Sequence, residues 1–165
     1  MWIKCYLSEV KGNTGLKAKT LVASFRVAQL YYHLEYPIRF LFFPALLFYY
    51  FVFDFLMGVE IKAKTRIGWG LRIFHPVGII INTDTVIGCR CTLRHNVTIG
   101  NKPSSLASGH SASPLIGDDV EFGAGAIVIG PIVIGNRARI GAHAYVDFNV
   151  PEDKTVFAHR SQLRV

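Results

Sequence analysis

A chain of 165 residues is long enough for one domain with a real core and too short for two independent globular units of ordinary size. Apolar residues make up 51% of it and the mean hydropathy is +0.33, an excess concentrated before Gly58, so the two ends are read separately. The net charge of +7 and pI near 9.5 favour anionic partners such as phosphates, acidic glycans or anionic lipid, whereas scattered basic residues, segregated aromatics and the absence of a reading motif argue against nucleic acid.

Residues 1–15, MWIKCYLSEVKGNTG, lack the basic start and apolar run of a secretory signal. Cys5, Cys89 and Cys91 form an odd set without metal-ligand spacing, so a reducing compartment and a cytoplasmic protein are expected, with Cys91 filling space. Leu21, Phe25, Ala28 and Tyr32 fall at helical spacing and predict a helix over residues 21–34 that Pro37 ends. Residues 40–53, FLFFPALLFYYFVF, carry no charge before Asp54 and are apolar all round. This run is shorter than the roughly 20 residues of a bilayer span and contains Pro44. It reads either as a buried or oligomer-facing helix or as an in-plane anchor whose neighbours Arg26, Arg39, Lys62 and Lys64 meet anionic headgroups.

After Gly58 a six-residue period takes over. Aliphatic or aromatic residues open hexads at Ile61, Ile67 and Ile73, at Ile81, Ile87, Leu93 and Ile99, and at Ile116, Phe122, Val128, Ile134, Ile140 and Val146. Small or β-branched residues (Val120, Ala126, Ile132, Ala138, Ala144, Val150) hold the fifth positions of the later ones. Two residues are inserted after Ile73, and a longer insertion follows Ile99. One large inward residue in six fits neither an amphipathic helix nor a long alternating strand. It fits short strands turning at corners, three to a coil, stacked as parallel strands about 4.8 Å apart. The expected organisation is a helical segment over residues 1–58, an all-β parallel β-helix over 59–151 with a loop at 101–115, and a tail over 152–165.

With three hexads to a coil, those opening at Ile73, Leu93, Phe122 and Ile140 share one face, provided the insertions loop out. Their third positions then form a column of His75, His95, Ala124 and Ala142. Imidazoles titrate near neutrality, which suits a general base for acyl transfer, where an alcohol loses its proton as it attacks a thioester. Glu60 is the candidate carboxylate to orient that base, or else a salt-bridge partner of Lys62 or Lys64. Backbone N–H groups near Gly100 are candidates to hold the oxyanion. The alanines beside Gly123, Gly125 and Gly141 leave a smooth wall for a thin ligand such as the pantetheine arm of coenzyme A, although corner residues of the repeat also tend to be small.

The stretches Glu60-Ile61, Ile67-Gly68-Trp69-Gly70, Ile73-Phe74-His75-Pro76-Val77-Gly78-Ile79, Asn96-Val97-Thr98-Ile99-Gly100 and Phe122-Gly123-Ala124-Gly125-Ala126 resemble the serine acetyltransferase branch of hexapeptide-repeat transferases. The apolar helices before them resemble exopolysaccharide O-acetyltransferases of the colanic-acid type. The resemblance implies a left-handed coil, a homotrimer with sites between subunits, acetyl-CoA as co-substrate and no metal. It carries the catalytic histidine onto His75 and its carboxylate partner onto Glu60, and the coenzyme A border onto Gly123, Ala124, Gly141 and Ala142. Phe74 stands where serine acetyltransferases have an aspartate, and Ala112-Ser113 where they have an arginine-histidine pair. An amino-acid acceptor needs such charged partners, so a neutral sugar hydroxyl is expected, lined by Phe74, His95 and Asn96. His95 replaces a glutamine usual in the serine enzymes.

The expected activity is therefore acetyl transfer from acetyl-CoA to a saccharide in exopolysaccharide or capsule biosynthesis, by a cytoplasmic enzyme that can sit at the inner face of the membrane. Serine O-acetyltransferase is the alternative. A metal-dependent enzyme like the γ-type carbonic anhydrases, using His75, His95 and His110, is a weaker one. Loop 101–115 reads as a lid or a surface insertion, and Arg160 and Arg164 as phosphate contacts or solvated tail charges.

Overall fold

The computed structural model describes residues 1–102 and 113–158. Helix α1 (Trp2–Gly12) and helix α2 (Leu16–His33) come first. A 3-10 turn over Ile38–Phe42, helix α3 (Phe43–Tyr49) and a π turn over Tyr50–Leu56 then run on without a break. From Glu60 the chain coils. The first coil is β1 (Glu60–Ile61), β2 (Arg66–Ile67) and β3 (Arg72–Phe74), and the second is β4 (Ile80–Ile81), β5 (Val86–Ile87) and β6 (Thr92–Arg94). The third holds β7 (Thr98–Gly100), β8 (Leu115–Ile116) and β9 (Glu121–Phe122), and the fourth β10 (Ile127–Ile129), β11 (Val133–Ile134) and β12 (Arg139–Ile140). Strands β13 (Tyr145–Val146) and β14 (Thr155–Val156) begin another coil.

The strands sort into three parallel sheets, the faces of a prism. Face A is β1-β4-β7-β10-β13, face B is β2-β5-β8-β11 and face C is β3-β6-β9-β12-β14. All thirteen hexad-opening residues lie in β1 to β13 and are buried, as are the fifth-position residues from Val120 to Val150. Each coil thus drops its large residue onto the one below, the burial that a strand of two or three residues cannot achieve alone. Strand β14 lies within the expected tail and extends face C, with Val156 paired to Ile140.

The helices close the open end of the first coil. An uncovered coil would present a row of unpaired backbone groups, and buried side chains from the helices meet them one by one. Glu9 Oε1 accepts from Leu71 N at 2.8 Å, while Asn13 accepts from Ile73 N and donates to Leu71 O, both at 2.8 Å. Arg26 donates to Ile67 O and Gly68 O at 2.9 and 2.6 Å, Gln29 to Thr65 O at 3.1 Å and the Tyr49 phenol to Ile61 O at 2.7 Å. The expectation that Arg26 meets lipid headgroups is corrected here: it is only 3% exposed and forms a fork to Glu9 at 2.7 and 2.8 Å. Lys62 likewise pairs with Asp54. Helix α2 starts earlier than residue 21, and α1 lies within the helical segment expected over residues 1–58, ahead of the one helix that spacing predicts there. Leu21, Phe25 and Ala28 form the buried stripe of α2, but Tyr32 is exposed.

Cys91 packs inside the solenoid with its thiol toward Gly117 O at 3.2 Å. Burial, helped by the charges of Asp118 and Asp119, pushes this thiol up to about 11. The thiolate is the reacting form. Iodoacetamide at pH 8 should therefore alkylate the half-buried Cys5 and Cys89 and leave Cys91 unmodified until the protein is denatured. Peptide mass mapping checks this, and native alkylation of Cys91 would mean that the coils open.

Candidate active site

His75 stands at the corner between faces C and A, where the first coil carries its two extra residues. Strands β3 and β6 keep register up to Phe74 opposite Arg94, and Asn96 N donates to Val77 O at 2.9 Å, which puts Asn96 over Gly78. The three residues His75, Pro76 and Val77 therefore face His95 alone, so the insertion expected to loop out is itself the bulge that presents His75. His75 adopts φ 54°, a left-handed conformation uncommon outside glycine though more accessible to histidine, asparagine and aspartate than to most residues. Pro76 disfavours the ordinary helical alternative. Backbone held this way persists only where its surroundings fix it. Here Gly78 supplies the fit, since a Cβ on it would lie 2.4 Å from Asn96 Oδ1.

The His75 and His95 rings meet edge to face, their centroids 6.1 Å apart and planes at 77°. His75 is exposed and His95 half-buried. His95 Nδ1 is buried with no hydrogen-bond partner among the described residues. Above them the column continues as expected: Gly125 N donates to His95 O at 3.0 Å and His143 N to Ala124 O at 2.9 Å, stacking Ala124 and then Ala142 in line. Phe74 is half-buried, with the Arg94 guanidinium 5.2 Å from its ring centre, and Asn96 is exposed at φ 57°. Sequence reasoning passed over Arg94, although it directly precedes His95.

Glu60 is exposed on face A with Ile80 as its Cα partner. It lines a groove with Lys62, Asn82, Gly100 and Asn101. The structure thus brings Glu60 and Gly100 together on face A, in a groove that His75 does not line. Among the described residues the Glu60 carboxylate makes no hydrogen bond or ion pair, so neither His75 nor Lys62 or Lys64 is bonded to it.

The glycines of the expected coenzyme A border answer to coil spacing. A Cβ on Gly123 would lie 2.4 Å from Ala142 N, and one on Gly141 2.9 Å from Val156 O. Backbone atoms cannot give way, so both positions are glycine for packing. Gly100 differs, since its Cβ would meet only the end of the Ile129 side chain, at 2.9 Å. The small side chains left open are Ala124 and Ala142, the latter in a shallow groove with Gly141, Phe157 and Ala158. Among the described residues no three His, Cys, Asp or Glu side chains are grouped to hold a metal ion. His110, Ala112, Arg160 and Arg164 lie outside the described residues.

The family profile described as bacterial transferase hexapeptide (six repeats) matches residues 113–147. A protein of Escherichia coli (strain K12) named as a colanic acid biosynthesis acetyltransferase, WcaB, is 35% identical over 122 residues, covering 74% of this chain and 73% of that protein. Serine acetyltransferase of Helicobacter pylori (strain J99) is 37% identical over 108 residues, covering 66% of this chain and 61% of the enzyme. The crystal structure of serine acetyltransferase isoform 3 from Entamoeba histolytica, in complex with cysteine, has a TM-score of 0.74 at 27% identity, over 98% of this chain and 60% of that one. The chain thus spans less than two thirds of these serine acetyltransferases. Identity that runs through most of both this chain and its Escherichia coli relative shows the kinship directly: the chain belongs to the hexapeptide-repeat transferase family and is an acetyltransferase.

Proposed function

We propose that the enzyme transfers the acetyl group of acetyl-CoA to a saccharide hydroxyl in exopolysaccharide or capsule assembly, in the cytoplasm and as a homotrimer with sites between subunits. The observation that carries the acceptor reading is Phe74. Directly before His75 stands a half-buried ring under the Arg94 guanidinium, where serine acetyltransferases have a carboxylate. An ammonium group has no anionic partner at that position, whereas an uncharged sugar needs none. The name of the Escherichia coli relative supports the same class of acceptor. The trimer is supported by outward apolar side chains stacked along the prism, among them Ile80, Ile127 and Tyr145 on face A and Leu115 and Val133 on face B.

In the proposed reaction His75 takes the proton of the acceptor hydroxyl as its oxygen attacks the acetyl carbon, and the coenzyme A thiolate leaves. Glu60 is the carboxylate assigned to support the resulting imidazolium. Backbone N–H groups near Gly100 meet the oxyanion, and the Ala124 and Ala142 track borders the donor. Thiol release from acetyl-CoA, measured with L-serine and with a panel of saccharides and nucleotide sugars, tests this. Turnover on the best saccharide should exceed that on serine by about 100-fold, as expected when a polar group of the wrong acceptor goes unpaired. Robust turnover on serine would instead establish the serine O-acetyltransferase reading, which the 37%-identical relative favours.

A further inference from the structure

One helical segment among the described residues, Ile38–Leu56, is long and apolar enough to cross a bilayer by length and composition, yet it cannot be surrounded by lipid. Leu46, Tyr49 and Phe53 are buried on one side of it, with Tyr49 5.9 Å from the Phe25 ring and bonded to the first coil through Ile61 O. The opposite side is bare. Leu41, Leu47, Phe48, Phe51, Phe55 and Leu56 are all more than half exposed, and only 17% of the segment is buried. A continuous apolar face of this kind marks a contact surface.

Its border identifies the partner. Arg39 lies 4.6 Å over the Tyr31 ring and Lys62 5.4 Å over Tyr50, while Lys64 is close enough to Tyr32 to act on its phenol. Tyrosines and cations at the rim of an apolar face match the headgroup level of a bilayer. The only acid in the segment, Asp54, is paired with Lys62, and Glu35 is the one exposed acid just ahead of it. Two copies meeting through this face would press like-charged rims together in a chain of net charge +7, whereas anionic lipid neutralises them.

We infer that Ile38–Leu56 docks in the plane of an anionic bilayer, its Phe and Leu side chains among the acyl chains and Arg39 and Lys64 at the headgroups. Strand β1, with Glu60, follows directly from this segment. Docking therefore holds the first coil beside the membrane, which suits a saccharide presented on a lipid carrier, a consequence that rests on the acceptor reading above.

Flotation of the full chain with phosphatidylcholine vesicles, with and without phosphatidylglycerol, tests the docking. The protein should float with the anionic vesicles, more weakly with the neutral ones, and be released by salt. Phe51→Glu should lower partitioning about tenfold by taking one aromatic out of the acyl layer. Lys64→Glu should lower it about fivefold on anionic vesicles only, and it carries the test if the Phe51 variant loses its circular dichroism spectrum. Protein that stays at the bottom with every vesicle overturns the inference. So does a Phe51→Glu variant that splits a larger oligomer in sedimentation while the parent ignores vesicles, because the face then joins copies of the chain. Flotation is read without turnover, so its failure leaves the acceptor reading standing, and the failure of that reading leaves docking standing.

Discussion

Replacing His75 with asparagine should lower the rate of acetyl transfer by about 10²–10⁴-fold, the range of a general base, while leaving the melting temperature nearly unchanged. Asparagine is the informative substitution because of the backbone. At φ 54° an alanine adds conformational strain to the loss of the imidazole, whereas asparagine is among the residues that occupy this region readily. The side chain is exposed and, among the described residues, His95 is the one ring it meets, so little packing is lost. The KM for acetyl-CoA should move little, since the proposed donor track lies higher along the column at Ala124 and Ala142. A variant that keeps most of its turnover would remove His75 as the base and leave His95 to be tested in its place. A companion Glu60→Gln should cost less than His75→Asn, because the role proposed for Glu60 is to act through the histidine, to which it is not bonded.

The coil was legible because its geometry forces a chemical repeat. A strand of two or three residues between corners can send one large side chain inward, so an aliphatic or aromatic residue every six positions is the only economical pattern, and it appears in all thirteen hexads. Strand β14 escaped notice because Val156 follows Val146 by ten residues, out of phase with that period. The two-residue insertion after Ile73 was visible in the spacing. That it forms the bulge presenting His75 depends on pairing with β6 and on Gly78 fitting under Asn96, which no local pattern encodes.

The helical cap was illegible for a different reason. Glu9, Asn13, Arg26 and Gln29 look like solvent-facing residues of amphipathic helices, and their partners are backbone groups far along the chain, 62 residues away for Glu9 and 58 for one bond of Asn13. Charge and hydropathy cannot distinguish a side chain that meets water from one that meets an open sheet edge. The candidate site divides the same way. The His75–His95 column followed from register alone, but the Phe74–Arg94 contact and the packing origin of Gly123 and Gly141 needed coordinates.

The cap leads to the largest expected effect on stability. Arg26→Ala should destabilise the fold by about 3–5 kcal/mol, the cost of breaking a buried ion pair from one side, and lower Tm by roughly 10 °C for a chain of this size. The loss has several parts. Glu9, which the arginine grips at 2.7 and 2.8 Å, would be left charged in a buried site, and the carbonyls of Ile67 and Gly68 would lose their donors at the rim of the first coil. The double variant Glu9→Gln/Arg26→Gln separates these contributions. It abolishes the uncompensated charge while keeping amides that can still bond the strand edge, so it should melt above Arg26→Ala despite carrying two substitutions. Thermal unfolding followed by circular dichroism decides the matter. If Arg26→Ala melts within about 2 °C of the parent, then by the same scaling the pair contributes little and the helices are held to the solenoid by the packing of Leu21, Phe25, Ala28 and Tyr49 and the remaining bonds of Asn13, Gln29 and Tyr49. If the single variant falls sharply and the double recovers, the polar side chains of α1 and α2 do for the first coil what a further coil of the repeat does for every other, and the corner that carries His75 rests on that seal.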